Sequence, residues 1–156
     1  RQLQIAWQVE GEEIPSPIAI VLIHGFGASK DHWRLNQKKI GLKAPCYSLD
    51  LVGFGESSQP NSCLLYERKT SKNFFYCFDS WSQQVFDFCN EVVKKPVLLI
   101  GNSIGGVIAF NTTKQDISRQ IIIRKMRGSK VECLKKRYFI KEALGFFIPS
   151  YHLEYL

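Results

Sequence analysis

The stretch VLLIGNSIGG, from Val97 to Gly106, decides the fold. Four aliphatic residues run straight into Asn102 and Ser103, with Gly101 before them and Gly105 and Gly106 shortly after. A continuous apolar run of this kind fits a strand covered on both faces, as in a parallel sheet. The following residues, IGGVIAFNTTK, predict a helix that begins immediately after Ser103. Strand, one-residue turn and helix in direct succession point to layered α/β architecture.

The flanking sequence repeats the pattern. IAIVLIHGFG, from Ile18 to Gly27, is a second apolar run, and it stops at His24 and Gly25. LQIAWQVEGEE alternates Leu3, Ile5, Trp7 and Val9, which predicts a half-buried strand ending in a turn at Gly11. ASKDHWRLNQKKIG predicts a weak helix stopped by Gly41, and CYSLDLVGFGESSQP a short strand to Leu51 followed by a loop. In DSWSQQVFDFCNEVV the residues Trp81, Val85, Phe88 and Val92 form one helical stripe, capped by Asp79 or Ser80. RQIIIR, Arg119 to Arg124, predicts one more strand, whereas Asn61 to Lys72 reads as a polar surface excursion. The expected fold is a three-layer α/β domain with a mostly parallel sheet. In such sheets binding groups gather beyond the carboxyl ends of the strands. His24 to Gly27, Asp50, and Asn102 with Ser103 all fall at such ends.

Gly101-Asn102-Ser103-Ile104-Gly105 fits G-x-S-x-G, the nucleophile elbow, in the strand–helix context its mechanism demands. The turn is too tight for side chains two residues either side of the serine, so glycine stands there and the hydroxyl is lifted into a cleft. The helix after Ser103 aims unpaired N–H groups and partial positive charge at developing negative charge. Gly106 is expected to let that helix pack close to the sheet. A bare strand–helix turn is the plainer alternative. Phosphate loops want G-x-x-x-x-G-K-[ST] or G-x-G-x-x-G, and neither pattern occurs here.

A serine attacking a carbonyl needs two N–H donors where the oxyanion forms. The amide of Ile104 is one candidate, and Phe26, between Gly25 and Gly27, is the other. His24 comes too early in the chain for the general base of this template, so a loop-bracing role is expected. Asp50 is expected to brace its loop through backbone N–H groups. Ser57 and Ser58 read as loop residues. Trp33 and Phe54 are candidates either for an apolar pocket beside the serine or for ordinary core.

Taken together, "VLIHGFGAS", "YSLDLVGFGESSQP" and "VLLIGNSIGGVIAF" resemble the N-terminal half of the α/β-hydrolase superfamily. "DHWRLN", "LDLVGFGESSQP" and "GNSIGG" are similar to cyanobacterial and chloroplast hydrolases related to pheophytinase. The resemblance spans about residues 3–123. It implies an acyl-enzyme mechanism, no cofactor and no metal, and a cytoplasmic or, in a plant or alga, stromal setting. It also implies a sheet truncated before its final strands. Residues 1–124 would form the N-terminal part of the hydrolase domain, and 125–156 a basic tail or the start of a lid. The superfamily's triad runs Ser, then Asp or Glu, then His. Downstream of Ser103 there is one Asp, Asp116, and one His, His152, and neither matches the family positions. The expectation is therefore a partial chain lacking the triad acid and histidine, weakly active or inactive. The start at Arg1 rather than Met suggests a missing N-terminal piece.

Bulk properties bound these readings. The chain has 156 residues, 45% of them apolar and 22% charged, enough for one domain with a core. Its formal charge is +7, with most of the excess after Arg119, so no basic nucleic-acid stripe crosses the strand tips. Five cysteines without CxxC spacing suggest thiols rather than a disulfide frame or zinc site. No apolar leader segment opens the chain. Pro96 to Thr113 carries no charge, but its glycines, Asn102 and Ser103 suit a membrane helix poorly. The expected partner is a small apolar ester, and nucleic acid is not expected. Membrane-surface contact through the basic tail competes with a lid helix for that segment. Two further alternatives are a carbon–carbon bond hydrolase of the meta-cleavage-product type and an inactive fragment or binding module.

Overall fold

The computed structural model describes residues 3–60, 76–115, 122–127 and 130–133. Strands β1 (Trp7–Glu10), β2 (Ala19–Ile23), β3 (Cys46–Leu49), β4 (Val97–Asn102), β5 (Ile122–Arg127) and β6 (Lys130–Cys133) form one sheet. Their order is β1-β3-β2-β4-β5-β6. The pairs β3–β2, β2–β4 and β4–β5 are parallel, and β1 and β6 are antiparallel to their neighbours.

The helices make the outer layers. A 3₁₀ turn (Lys30–Trp33) leads into α1 (Arg34–Gly41), which lies against β1 and β3. Helices α2 (Phe78–Phe88) and α3 (Ile104–Gln115) pack on each other and cover the opposite face. On that face Ala19, Val21 and Ile23 of β2 meet Trp81, Val85, Phe88 and Ile108, all buried. On the α1 face Leu22 and Cys46 pack around Trp33. Two-sided cover explains why β2 and β4 read as continuous apolar runs.

Helix α1 is seated by a polar bridge as well as by Ile40, which packs against the cluster of Leu22, Trp33 and Cys46. Buried Gln37 donates from Nε2 to the carbonyls of Gln8 (3.1 Å) and Cys46 (2.9 Å). Its Oε1 accepts from Gln8 Nε2 and Ser48 Oγ, each at 2.8 Å. One side chain thus ties α1 to β1 and β3 with every polar atom engaged.

Three local expectations are corrected. The N-cap of α2 is Cys77 rather than Asp79 or Ser80, and Asp79 instead favours the first turn by its charge. Past Phe88 the helix widens into a π turn, Cys89–Val93, closed by a bond from Lys94 N to Cys89 O at 2.9 Å. The extra residue per turn shifts the stripe, so Val93 is buried and Val92 only half-buried. Strand β5 (Ile122–Arg127) runs past the expected end at Arg124, through charged residues to Arg127. Strand β6 pairs with it antiparallel, Arg124 opposite Cys133. The excursion at 61–72, and the tail apart from β5 and β6, lie outside the described residues.

Candidate active site

Three segments converge at the carboxyl ends of β2, β3 and β4. The first is the turn after β4. Ser103 joins β4 to α3 with φ of 53°, a left-handed conformation rare for a residue with a Cβ, and its side chain is exposed. The glycines around it answer to space. A Cβ on Gly101 would lie 2.2 Å from the carbonyl carbon of Gly105, and one on Gly105 would lie 2.4 Å from the carbonyl oxygen of Ile23. Gly105 thus stands at a close approach of α3 to the sheet. Gly106 is buried, and its N–H donates to Ser103 O at 3.0 Å.

The second segment is the loop His24–Ser29 after β2. Gly25 faces the turn of Ser103: a Cβ there would stand 3.2 Å from Ser103 Cβ. Gly27 takes φ of 70° in open space, and Ala28 N donates to Gly25 O at 3.3 Å. The Phe26 side chain is 76% exposed, and its ring meets Phe54 edge-on at 5.5 Å. Among the described residues neither the Phe26 nor the Ile104 amide has a hydrogen-bond acceptor.

The third segment is the loop after β3, which His24 and Asp50 hold in place. His24 is fully buried; Nδ1–H donates to Gly25 O at 2.7 Å, and Nε2 accepts from Leu51 N at 3.0 Å. Burial lowers its pKa from the ordinary 6.5, opposed by the bond to Gly25 and the charge of Asp50. The imidazole is thus neutral, with both nitrogens occupied. Asp50 accepts from Lys30 N at 2.5 Å and Glu56 N at 2.8 Å, and Lys30 Nζ lies 3.5 Å from its Oδ2. Lys30 also bonds Glu56, which raises the Lys30 pKa.

Several supports were not evident in the sequence. Gln84 of α2 accepts from Val52 N and donates to Asp50 O, both at 2.9 Å, and Trp81 Nε1 donates to Val52 O at 2.9 Å. Ser57 Oγ donates to Asp50 O and accepts from Ala6 N, and Ser58 Oγ accepts from Gln4 N. His32, part of the DHWRLN stretch but given no role there, lies 3.3 Å from Asn102 Nδ2 through its Nε2. Of the two pocket candidates, Trp33 is core, packed with Leu22 and Cys46. Phe54 is half-buried and stacks edge-on against both His24 and Phe26. Burial pushes the Cys46 thiol up to about 12, and none of Cys46, Cys77 and Cys89 is in a disulfide. Asp116 and His152 lie outside the described residues. Among the described residues no helix is long and apolar enough to cross a membrane.

An exposed serine on a left-handed strand–helix turn, set against a glycine loop, thus stands at the strand tips of a layered α/β fold. The family model of the alpha/beta hydrolase fold matches residues 18–126, and the chain belongs to this family. A 1-acylglycerol-3-phosphate O-acyltransferase, ABHD5, from Sus scrofa is 33% identical over 96 residues, 62% of this chain and 25% of that protein. A (lyso)-N-acylphosphatidylethanolamine lipase from Bos taurus is 27% identical over 97 residues, 62% of this chain and 26% of the lipase. The chain thus spans about a quarter of the length of these relatives. Among solved structures, a bacterial membrane phospholipase A superimposes with a TM-score of 0.61 at 30% identity, over 78% of this chain and 36% of that one. A meta-cleavage product hydrolase, CumD, gives 0.61 at 25% identity, over 79% and 40%.

Proposed function

We propose that the protein is a serine hydrolase that cleaves carboxylic esters through an acyl-enzyme. The observation that carries this reading is Ser103, held at φ of 53° with its side chain exposed beside Gly25. Such strain persists where the surroundings enforce it, and here its consequence is to present a hydroxyl at the strand tips. Ser103 Oγ would attack the carbonyl carbon and give up its proton to a base. The amides of Phe26 and Ile104 would take the resulting oxyanion; one such donor is typically worth about 3 kcal/mol of barrier. Collapse expels the alcohol, and water then attacks the acyl-serine to release the acid. Phe26 and Phe54 offer an apolar rim for a bulky acyl or alcohol group. The relatives named for acyl-lipid chemistry support that choice.

The base is not His24, whose ring nitrogens are both occupied. His32 is engaged with Asn102. Neither histidine, as bonded here, is placed to take the proton of Ser103, so the reading rests on Ser103 itself as the nucleophile. Prolonged incubation with an alkyl fluorophosphonate, followed by intact-mass measurement, tests this. One adduct, mapped to Ser103 and absent from Ser103→Ala, is expected. No adduct, or an equal adduct in Ser103→Ala, would overturn the reading in favour of a binding scaffold.

A second reading, carbon–carbon bond hydrolysis, is favoured by Asn102 directly before the serine and by the 25%-identical meta-cleavage product hydrolase. Preference for a vinylogous diketone over an apolar ester in a substrate panel would select it. The finer kinship with pheophytinase-like hydrolases and contact of the basic tail with a membrane surface belong to the same proposal.

A further inference from the structure

We infer that His32 and Asn102 form a positioning pair that keeps the Phe26 amide in register with Ser103. The inference rests on the reading of Ser103 as nucleophile. The two proposed oxyanion donors sit on different segments, Phe26 on the loop after β2 and Ile104 at the head of α3. Oxyanion donors act within a narrow range, about 2.7–3.1 Å, so a shift of a few tenths of an ångström between those segments matters.

The backbones meet at Gly25, where a Cβ would stand 3.2 Å from Ser103 Cβ and 3.5 Å from Asn102 Nδ2. Backbone approach alone sets a closest distance and nothing that pulls the segments together. The side-chain bond from Asn102 to His32 supplies the pull, across 70 positions of sequence. An amide nitrogen can only donate, so His32 Nε2 accepts and its ring proton sits on Nδ1. While Nε2 is engaged in this way, it cannot receive the proton of Ser103.

His32 itself is well anchored. It lies in the 3₁₀ turn that closes the Phe26 loop, capped by Ser29 Oγ accepting from Asp31 N at 3.3 Å. Lys30 N is fixed on Asp50 within the same turn. The imidazole packs edge-on against Trp33 at 5.1 Å, and Trp33 is buried against Leu22 and Cys46. A continuous path therefore runs from the core through Trp33 and His32 to Asn102, the neighbour of Ser103.

The test is the second-order rate of Ser103 labelling by an alkyl fluorophosphonate, whose phosphonyl oxygen needs the same two amides. His32→Ala and Asn102→Ala should each slow labelling about tenfold, and the double variant should be no slower than the slower single. His32→Gln, which offers Oε1 where Nε2 stood, should restore most of the rate. Additive losses, an unaffected His32→Ala, or no rescue by His32→Gln would overturn the pair. Failure of the parent reading shows separately, as a wild-type chain that does not label. The pair then stands or falls on the Asn102 side-chain NH₂ resonances. They should be displaced from the free-amide position in wild type and His32→Gln and return to it in His32→Ala; resonances that do not respond to His32→Ala would overturn the pair.

Discussion

At the scale of single residues, Ser103 and its glycines set function against stability. A residue with a Cβ in the left-handed region costs about 1–2 kcal/mol relative to glycine. Ser103→Gly should therefore raise the unfolding free energy by about 1 kcal/mol, read as a higher urea midpoint, while abolishing fluorophosphonate labelling. Gly105 and Gly27 separate two reasons for needing glycine. Alanine at Gly105 drives its Cβ into the Ile23 carbonyl, so about 2–3 kcal/mol should be lost. Alanine at Gly27 meets nothing and bears only the backbone penalty, about 1 kcal/mol. Equal losses in denaturation curves at the two positions would contradict this account. Gly101 and Gly105 are legible in the sequence because their spacing from the serine is local. His32 is not, because its partner Asn102 is distant in sequence and no periodicity marks it.

At the scale of elements, buried glutamines join what apolar stripes alone would leave loose. Gln37 locks α1 to β1 and β3, and Gln84 clamps the loop after β3 to α2. Gln37→Leu removes the acceptor of buried Ser48 Oγ and the donor to two carbonyls; a loss of about 2–3 kcal/mol is expected in urea unfolding. A Gln37→Leu variant as stable as wild type would mean that apolar packing seats α1. The stripe Trp81, Val85, Phe88 correctly places α2 on the core, since helical spacing reports which side chains share a face. The π turn that exchanges Val92 for Val93 escapes such a reading, because it depends on the packing of the helix end.

Across the whole molecule, His24 links β2 to the loop after β3 and makes stability depend on pH. Its folded pKa is lowered from 6.5 by burial, whereas the unfolded chain takes up a proton near that value. The unfolded state thus binds more protons below pH 6.5, so this contribution is complete above 6.5 and is lost as the pH falls below it. Urea midpoints followed from about pH 8 to about pH 5 should decline in wild type and show a flatter slope in His24→Asn, itself less stable at every pH. Parallel slopes in the two proteins would place the acid sensitivity elsewhere.

The sequence by itself determined the layering: apolar runs of strand length, helical stripes and the glycine-fenced Ser103 are local signals of which surfaces must be buried. It also brought Phe26, Asp50 and Ser103 to the same ends of the strands, since a parallel sheet leaves little choice. Tertiary structure alone decided how those ends are fastened together. The bonds from His24 to Leu51, Asp50 to Lys30, Gln84 to Val52 and Asn102 to His32 each join segments that meet only after the crossovers have folded. Polar contacts of this kind depend on distance and direction in space, and hydrophobic periodicity along a chain records neither.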